Sequence, residues 1–427
     1  MSFHKIFGIK QFVPYNVSNL SGDITAGVIV TFLLLPQSMA YAIIAGVPLI
    51  MGLLSSTFPL IIYALFGSSK YLSVGPVSIV SLLAFTTVSS LAKPDSERFL
   101  EFVIILSLLV GIVQLIMGLL KAGSLLKYVS SAVIGGFTSA LAIIIIINQM
   151  DSIMGVTLPS HQKFLACFLE IMTAIPKAHV LTLTIGLISF LFLLVSKKVF
   201  RVSLGPFIII IASIVVVDYF NLDKQGVEIV GGISRESLDV SLRLPAMETI
   251  FSLLPIALMI GFISFFESFS VAKTLSDKEN EHLNTNQELV SLGFANMMSS
   301  FAGSIPVAGA ISRTAVNYES GAKTKFSLFI TAFLMMLAIF YITPLFYYLP
   351  KATLAAIIII AVMNLINVKQ LRYYQKNELS QAFIFLATFA ATLITNVFVG
   401  LIVGIVLSIV KVINSKFCYL LLSLMGK

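Results

Sequence analysis

Residues 301–321 read FAGSIPVAGAISRTAVNYESG, and the interpretation of the whole chain turns on them. Gly303, Pro306 and Gly309 interrupt an otherwise apolar background, and a short polar segment with Ser312 and Arg313 follows at once. Proline removes a backbone donor and glycine weakens a helix, so an uninterrupted membrane helix is disfavoured here. A half-helix starting near residue 310 is the natural solution. The first amides of a helix have no helical partner and carry the positive end of its dipole, which together make a seat for an anion. The free amides would be those of Ile311 and Ser312, with the Arg313 cation beside them. The plainer alternative is a structural arginine, paired with a nearby carboxylate or seated closer to the membrane surface.

The rest of the chain supplies the setting. Hydrophobic residues make up 58% of its 427 residues and charged ones 11%, and the mean hydropathy is +1.03. Soluble domains carry about a quarter charged residues, so this composition specifies a polytopic, all-α membrane protein. Cys167 and Cys418 lie in apolar runs and describe neither a disulfide framework nor a metal site, and the histidines show no ligand spacing. A net charge of +8 could suit nucleic acid, but the charges fall where membrane orientation is set. Residues 1–19 hold Lys5 and Lys10 with no apolar run before Pro14, which reads as a short cytoplasmic lead-in and not a cleaved signal. No phosphate-binding loop, HExxH or GxSxG is present in the sequence. An ATP-driven pump and the recognised hydrolases are therefore excluded, and neither cofactor nor metal is expected.

Apolar runs of roughly 17–25 residues, the length that crosses a bilayer, recur throughout. They lie near 22–45, 49–67, 74–91, 99–120, 126–149, 179–196, 204–220, 249–272, 286–303, 310–321, 325–348, 351–367, 379–394 and 396–415. An amphipathic piece at 164–176 is expected along a surface, and 379–415 could also form one re-entrant pair. Alternating these fourteen spans from a cytoplasmic N-terminus puts eighteen Lys and Arg inside and eight outside, with Arg313 left within the membrane. That bias predicts both termini in the cytoplasm. The spans divide into seven in 1–220, a connecting loop on the outer side at 221–248, and seven in 249–427. An odd number per half makes the second half inverted relative to the first. The third span of each is the irregular one, through Gly75 and Pro76 in the first and Pro306 and Gly309 in the second. Paired broken helices in inverted halves point to a central binding site, although ordinary glycine kinks would leave the same trace.

Four groups of residues could carry chemistry. Arg313 within a span costs at least about 2.5–3.5 kcal/mol to insert, which is sustained where it faces a cavity. Glu267 stands alone among Phe265, Phe266 and Phe269, the only acid between Glu248 and Asp277. Such a carboxyl can exchange protons or form a fixed ion pair with Arg313. Gln37 and Tyr41, four apart after Pro36 in LPQSMAYA, share a helix face and can bind a ligand or a neighbouring helix. Pro36 itself should kink or break that helix. Val77 and Ser78, after SVGP, would open a second helix start facing the first.

At these positions the chain resembles the sulfate permease (SulP) family of anion carriers. The matching pieces are GDITAGVIVTFLLLPQSMAYAIIAGVP at 22–48, YLSVGPVSIVSLL at 71–83 and NQELVSLGFANMMSSFAGSIPVAGAISRTAVNYESGAKT at 286–324. The resemblance implies two inverted seven-span repeats, arranged as a core (transport) domain and a gate (scaffold) domain. It also implies an anion site between the third and tenth spans with help from the first, which falls on Gln37, Tyr41, Val77, Ser78, Ile311, Ser312 and Arg313. The coupling acid of proton-driven members falls on Glu267. Members carry sulfate, bicarbonate, dicarboxylates or halides; the glutamine of LPQSMAYA and the arginine of ISRTAVN resemble those of sulfate carriers. Proton-coupled sulfate uptake, in a bacterial inner membrane, is the expectation. Coupling to Na+ and a bicarbonate or dicarboxylate symporter are the nearest alternatives, and an anion channel or exchanger the next. Most members continue into a cytoplasmic STAS domain, whereas this sequence stops at Lys427, about a dozen residues past its last span. No STAS domain is expected, and a homodimer is allowed.

Overall fold

The structure, a computed structural model, describes residues 15–94, 96–123, 130–156, 164–199, 205–231, 247–341, 343–395, 397 and 399–411. The lead-in at 1–14, residues 232–246 of the connecting loop, Cys418 and the end of the last expected span lie outside the described residues.

The chain is helical almost throughout. In order come α1 (Leu20–Ile44), α2 (Leu49–Leu54), α3 (Phe58–Phe66), strand β1 (Val74–Gly75), α4 (Ser78–Val88), α5 (Glu97–Leu119), α6 (Ser131–Asn148), α7 (Met150–Met154) and α8 (Phe164–Ala174). They are followed by α9 (Val180–Val199), α10 (Gly205–Phe220), α11 (Met247–Lys278), α12 (Thr285–Phe301), strand β2 (Ala308–Gly309), α13 (Ile311–Glu319) and α14 (Phe326–Tyr341). The last four are α15 (Lys351–Met363), α16 (Val368–Asn377), α17 (Leu379–Ile394) and α18 (Val399–Lys411). Among the described residues, six helices are long and apolar enough to cross a membrane by length and composition.

One sequence expectation is corrected, and two features that hydropathy does not show are added. The 49–67 span stands as Leu49–Phe66, long and apolar enough to cross a membrane, but it is built of α2 and α3, the second starting with Pro59 in its first turn, where the missing N–H costs no helical bond. At the break Ser55, Ser56 and Thr57 are wholly buried, and their hydroxyls donate to Gly52 O, Gly52 O and Leu54 O. Pro36 does not break α1, which runs unbroken from Leu20 to Ile44. Finally, α16 is a polar helix that hydropathy does not register; it starts on Asn367, whose side chain accepts from Gln370 N.

The chain forms two compact units, one of Met1–Gly123 with His179–Ile358, the other of Ser124–Ala178 with Ile359–Lys427. Each unit draws on both halves of the chain. In the first, α5 and α12 make the most extensive helix pair. Their backbones meet at glycines: a Cβ on Gly293 would stand 2.8 Å from Leu115 N, and one on Gly111 2.7 Å from Gly293 O. Small residues at such crossings are how membrane helices gain dispersion contact where lipid leaves no hydrophobic drive. The second unit uses the same device between α6 and α17, where a Cβ on Gly136 would meet Phe385 O at 2.3 Å.

Two buried carboxylates fasten the first unit's loops. Asp23, in the first turn of α1, accepts from Tyr15 Oη (2.9 Å), Lys323 N (2.7 Å), Thr324 N (2.9 Å) and Thr324 Oγ1 (2.5 Å). Burial pushes the Tyr15 phenol up to about 12, with the Asp23 hydrogen bond and charge adding to it. Glu288, in the first turn of α12, accepts from Tyr63 Oη (2.7 Å), Ser68 N (2.6 Å), Ser68 Oγ (2.7 Å) and Ser69 N (3.1 Å). The first clasp holds the exit of α13 and the second the approach to β1.

Candidate functional site

The two irregular spans lie side by side in the first unit. Gly303, at a φ of 66° that only glycine adopts without strain, ends α12 and turns the chain into extended backbone. Pro306 keeps it extended, and Ala308–Gly309 pair antiparallel with Val74–Gly75, in the register Val74↔Gly309 and Gly75↔Ala308. Each strand then feeds a short helix: β1 passes through Pro76 and Val77 into α4, and β2 through Ala310 into α13. The cap residues Val77 and Ala310 are extended and offer no side-chain bond to the first-turn amides. Two uncapped helix starts therefore leave one two-stranded ribbon. The bland reading of paired glycine kinks does not describe this geometry.

The start of α13 is strapped to the β1 segment. Ala310 N donates to Ser73 O (3.1 Å), Ser73 N to Thr314 Oγ1 (3.1 Å) and Asn317 Nδ2 to Tyr71 O (3.0 Å). Residues 310, 314 and 317 lie on one helix face, and Arg313 projects from the neighbouring one. Its side chain is fully buried. Arg313 Nη1 donates to Pro76 O (2.9 Å) and to Gln37 Oε1 (3.3 Å), joining α1, the entry to α4 and α13. Gly75 makes room for it, since a Cβ there would sit 3.2 Å from Arg313 Nη2. Arg313 Nε and Nη2 have no hydrogen-bond partner in the protein. A buried guanidinium whose direct partners are all neutral has no counter-ion in contact, and an uncompensated buried charge costs several kcal/mol (~3–5) unless an anion joins it.

The other sequence candidates fall around this group. Gln37 and Tyr41 are buried on α1, and Val77 and Ser78 are buried at the start of α4. Ile311 and Ser312 are exposed, so the α13 start is not sealed. Glu267 is half-buried on α11, and its Oε2 has no partner. It makes no ion pair with Arg313, whose hydrogen bonds go to Pro76 O and Gln37 Oε1. The expected alternative of a fixed Glu267–Arg313 salt bridge is thus not the arrangement found.

Sequence reading missed the side chains that hold the extended segments. Gln114, Ser268, Asn296 and Thr314 are almost or wholly buried around the ribbon. A signal existed: Gln114 and Asn296 are amides within spans otherwise free of them for several turns.

Residues 20–388 match the Sulfate permease family. Sulfate transporter 4.1, chloroplastic, of Arabidopsis thaliana is 36% identical over 353 residues, covering 81% of this chain and 51% of that relative. A probable sulfate transporter of Mycobacterium tuberculosis is 29% identical over 384 residues, 90% of this chain and 68% of that one. The chain spans about half the length of the first plant relatives it matches. The fold is that of the murine Solute Carrier 26 family member A9 anion transporter in the inward-facing state, with a TM-score of 0.89 at 22% identity over 96% of this chain and 72% of that one. It is also that of the transmembrane domain of a cyanobacterium bicarbonate transporter, BicA, with a TM-score of 0.79 at 23% identity over 91% of this chain and 98% of that one.

Proposed function

From the premise that this chain belongs to the sulfate permease family, a family of transporters and not of enzymes, we propose that it is a secondary active carrier moving sulfate inward with protons. The anion is held between the starts of α4 and α13, with Gln37, Tyr41, Val77, Ser78, Ile311, Ser312 and Arg313 around it. The observation that carries this reading is the buried Arg313 guanidinium, which keeps two of its three nitrogens, Nε and Nη2, unpartnered beside two uncapped helix starts. Those donors favour an anion with several acceptor oxygens, and a fixed cation favours a dianion over a halide.

Glu267 is the proton-carrying group in this reading. Its unpartnered oxygen, on a carboxyl within a membrane-spanning helix, supports a cycle in which protonating Glu267 offsets the anion's charge. Alternating access then moves charge-compensated substrate across the membrane, within fourteen segments arranged as two inverted repeats with both termini cytoplasmic.

Purified protein in liposomes tests this directly. Radiolabelled sulfate should accumulate against its gradient when the outside is acidic, and selenate should compete better than chloride, succinate or bicarbonate. Sulfate that competes with no transported anion would reject the substrate. Uptake indifferent to a pH gradient would reject the proton.

A further inference from the structure

Backbone at membrane depth has to satisfy its polar groups within the protein, and an open strand edge is not tolerated there. The extended segment from Ile305 to Gly309 is fully buried, and β1 pairs with only one edge of β2. The other edge carries the polar groups of Ile305, Val307 and Gly309, which alternate with those facing β1. No third strand lies there among the described residues. Three side chains take its place. Ser299 Oγ donates to Ile305 O (2.5 Å), and Ser268 Oγ accepts from Gly309 N (2.7 Å). Between them, Asn296 Oδ1 accepts from Val307 N (2.8 Å) while its Nδ2 donates to Val307 O (3.1 Å).

Asn296 therefore pairs with residue 307 as a residue of a neighbouring strand would, gripping both its N–H and its carbonyl. Its own amide is fixed in turn. Asn296 Nδ2 also reaches Leu292 O (3.1 Å) and Gln114 Oε1 (2.9 Å). Gln114 Nε2 donates to Gly261 O (3.1 Å) and Ser264 Oγ (2.8 Å) on α11. Asn296, Ser299, Ser264 and Ser268 are all wholly buried, and so is Gln114. Val307 lies three residues before the Ala310 cap and six before Arg313. Strand side chains alternate faces, so a slip of one residue at Val307 would turn its successors to the opposite side.

We propose that Asn296 is a positioning residue of the anion seat. It fixes the register of 305–309, and with it the direction in which the start of α13 and Arg313 face, without touching the anion. The proposal rests on the carrier reading above and extends it to a residue 17 positions before Arg313 along the chain.

The test uses the full chain in nanodiscs and in liposomes, measuring sulfate affinity and saturating uptake rate separately. Asn296→Asp keeps the size and the acceptor for Val307 N but sets a carboxylate oxygen against Leu292 O, Val307 O and Gln114 Oε1. Its sulfate Kd and KM should rise about tenfold or more, while the saturating rate per folded carrier falls by less than about threefold. Ser268→Ala frees Gly309 N and, within α11, removes the hydroxyl's own bond to Ser264 O; it is the milder variant for the case that Asn296→Asp does not fold, and should raise KM by about three- to tenfold. Ser300→Ala is the control, because Ser300 is equally buried on α12 and donates to Ile104 O (2.9 Å) on α5 without reaching the ribbon. Its KM should stay at the wild-type value. Wild-type affinity in both ribbon variants would overturn the proposal, as would an equal KM rise in Ser300→Ala, which would mark general loosening. If the unaltered protein binds a different anion from the panel in place of sulfate, the substrate assignment fails while the same comparison, made with that anion, still decides the role of Asn296. Failure to bind any anion would overturn both.

Discussion

In the proposed carrier, Arg313 is the residue on which substrate choice would depend. Two of its three nitrogens are unpartnered and the third, Nη1, bonds only neutral oxygens, so its charge would be available to an anion that enters. A charge-assisted hydrogen bond is worth about 1.5–3 kcal/mol, and a dianion with several oxygens can take two where a halide takes a weaker share. Arg313→Ala should thus weaken sulfate binding by about 10- to 100-fold and chloride binding by clearly less, measured by competition on the purified carrier. Equal losses for both anions would count against a fixed cation as the selector. Arg313→Lys keeps the charge but loses the planar fork, and should fall between. For Glu267, replacement by Gln removes the exchangeable proton while keeping the shape. Sulfate exchange between equal pools should continue in Glu267→Gln, whereas accumulation driven by an acidic outside should be lost; normal accumulation in that variant would remove Glu267 from the coupling step.

At the scale of elements, the half-helices work because rigid pieces hold them. The Gly111–Gly293 crossing sets α5 against α12, and α12 carries Asn296 and Ser299 to the ribbon. Gly293→Ala places a methyl 2.8 Å from a backbone nitrogen that cannot move aside. Overpacking of this kind costs about 1–3 kcal/mol, so the variant should melt several degrees lower in a detergent thermal-shift assay, with any loss of uptake following the loss of folded protein. An unchanged melting temperature would mean that the two helices do not meet there. The sequence made the two short helices legible because proline and glycine leave a strong local mark at Gly75, Pro76, Pro306 and Gly309. It made Arg313 and Glu267 legible because a charge in an apolar run is conspicuous. It did not disclose Asn296, Gln114 or Asp23, whose partners lie 11, 182 and 300 residues away along the chain. Their meaning depends on which backbone edge they face, and that is decided by tertiary contact. The break at Ser55–Thr57 was masked in the same way, since apolar neighbours on both sides keep hydropathy high across it.

For the whole molecule, the charge pattern and the helices together define a testable orientation. Lys70, Lys273, Lys278, Lys323 and Lys376 fall at ends assigned to the cytoplasm, whereas Lys93, Arg98, Lys177, Lys224 and Lys351 fall at the opposite ends. Positive residues near span ends resist translocation, so the richer side stays inside. The clasps agree with one shared side for part of this set: Lys323 N is held by Asp23, and the Lys70 ammonium pairs with Glu281 at 2.6 Å, two residues before the Leu283–Asn284 entry to α12. Single cysteines can test it in a background where Cys167 and Cys418 are replaced by Ala, the first of them buried and the second outside the described residues. Lys93→Cys and Lys224→Cys should react with a membrane-impermeant maleimide on intact cells, whereas Lys278→Cys and Lys376→Cys should react only after the membrane is opened. Lys93, Lys224, Lys278 and Lys376 are exposed in the structure, so a silent position would reflect its side of the membrane and not burial. The reverse labelling pattern would invert the orientation, and with it the direction in which an acidic outside drives uptake. Labelling of Lys93→Cys and Lys278→Cys from one side would instead break the alternation of spans between them, and the odd number of crossings per half that makes the two repeats inverted would have to be abandoned.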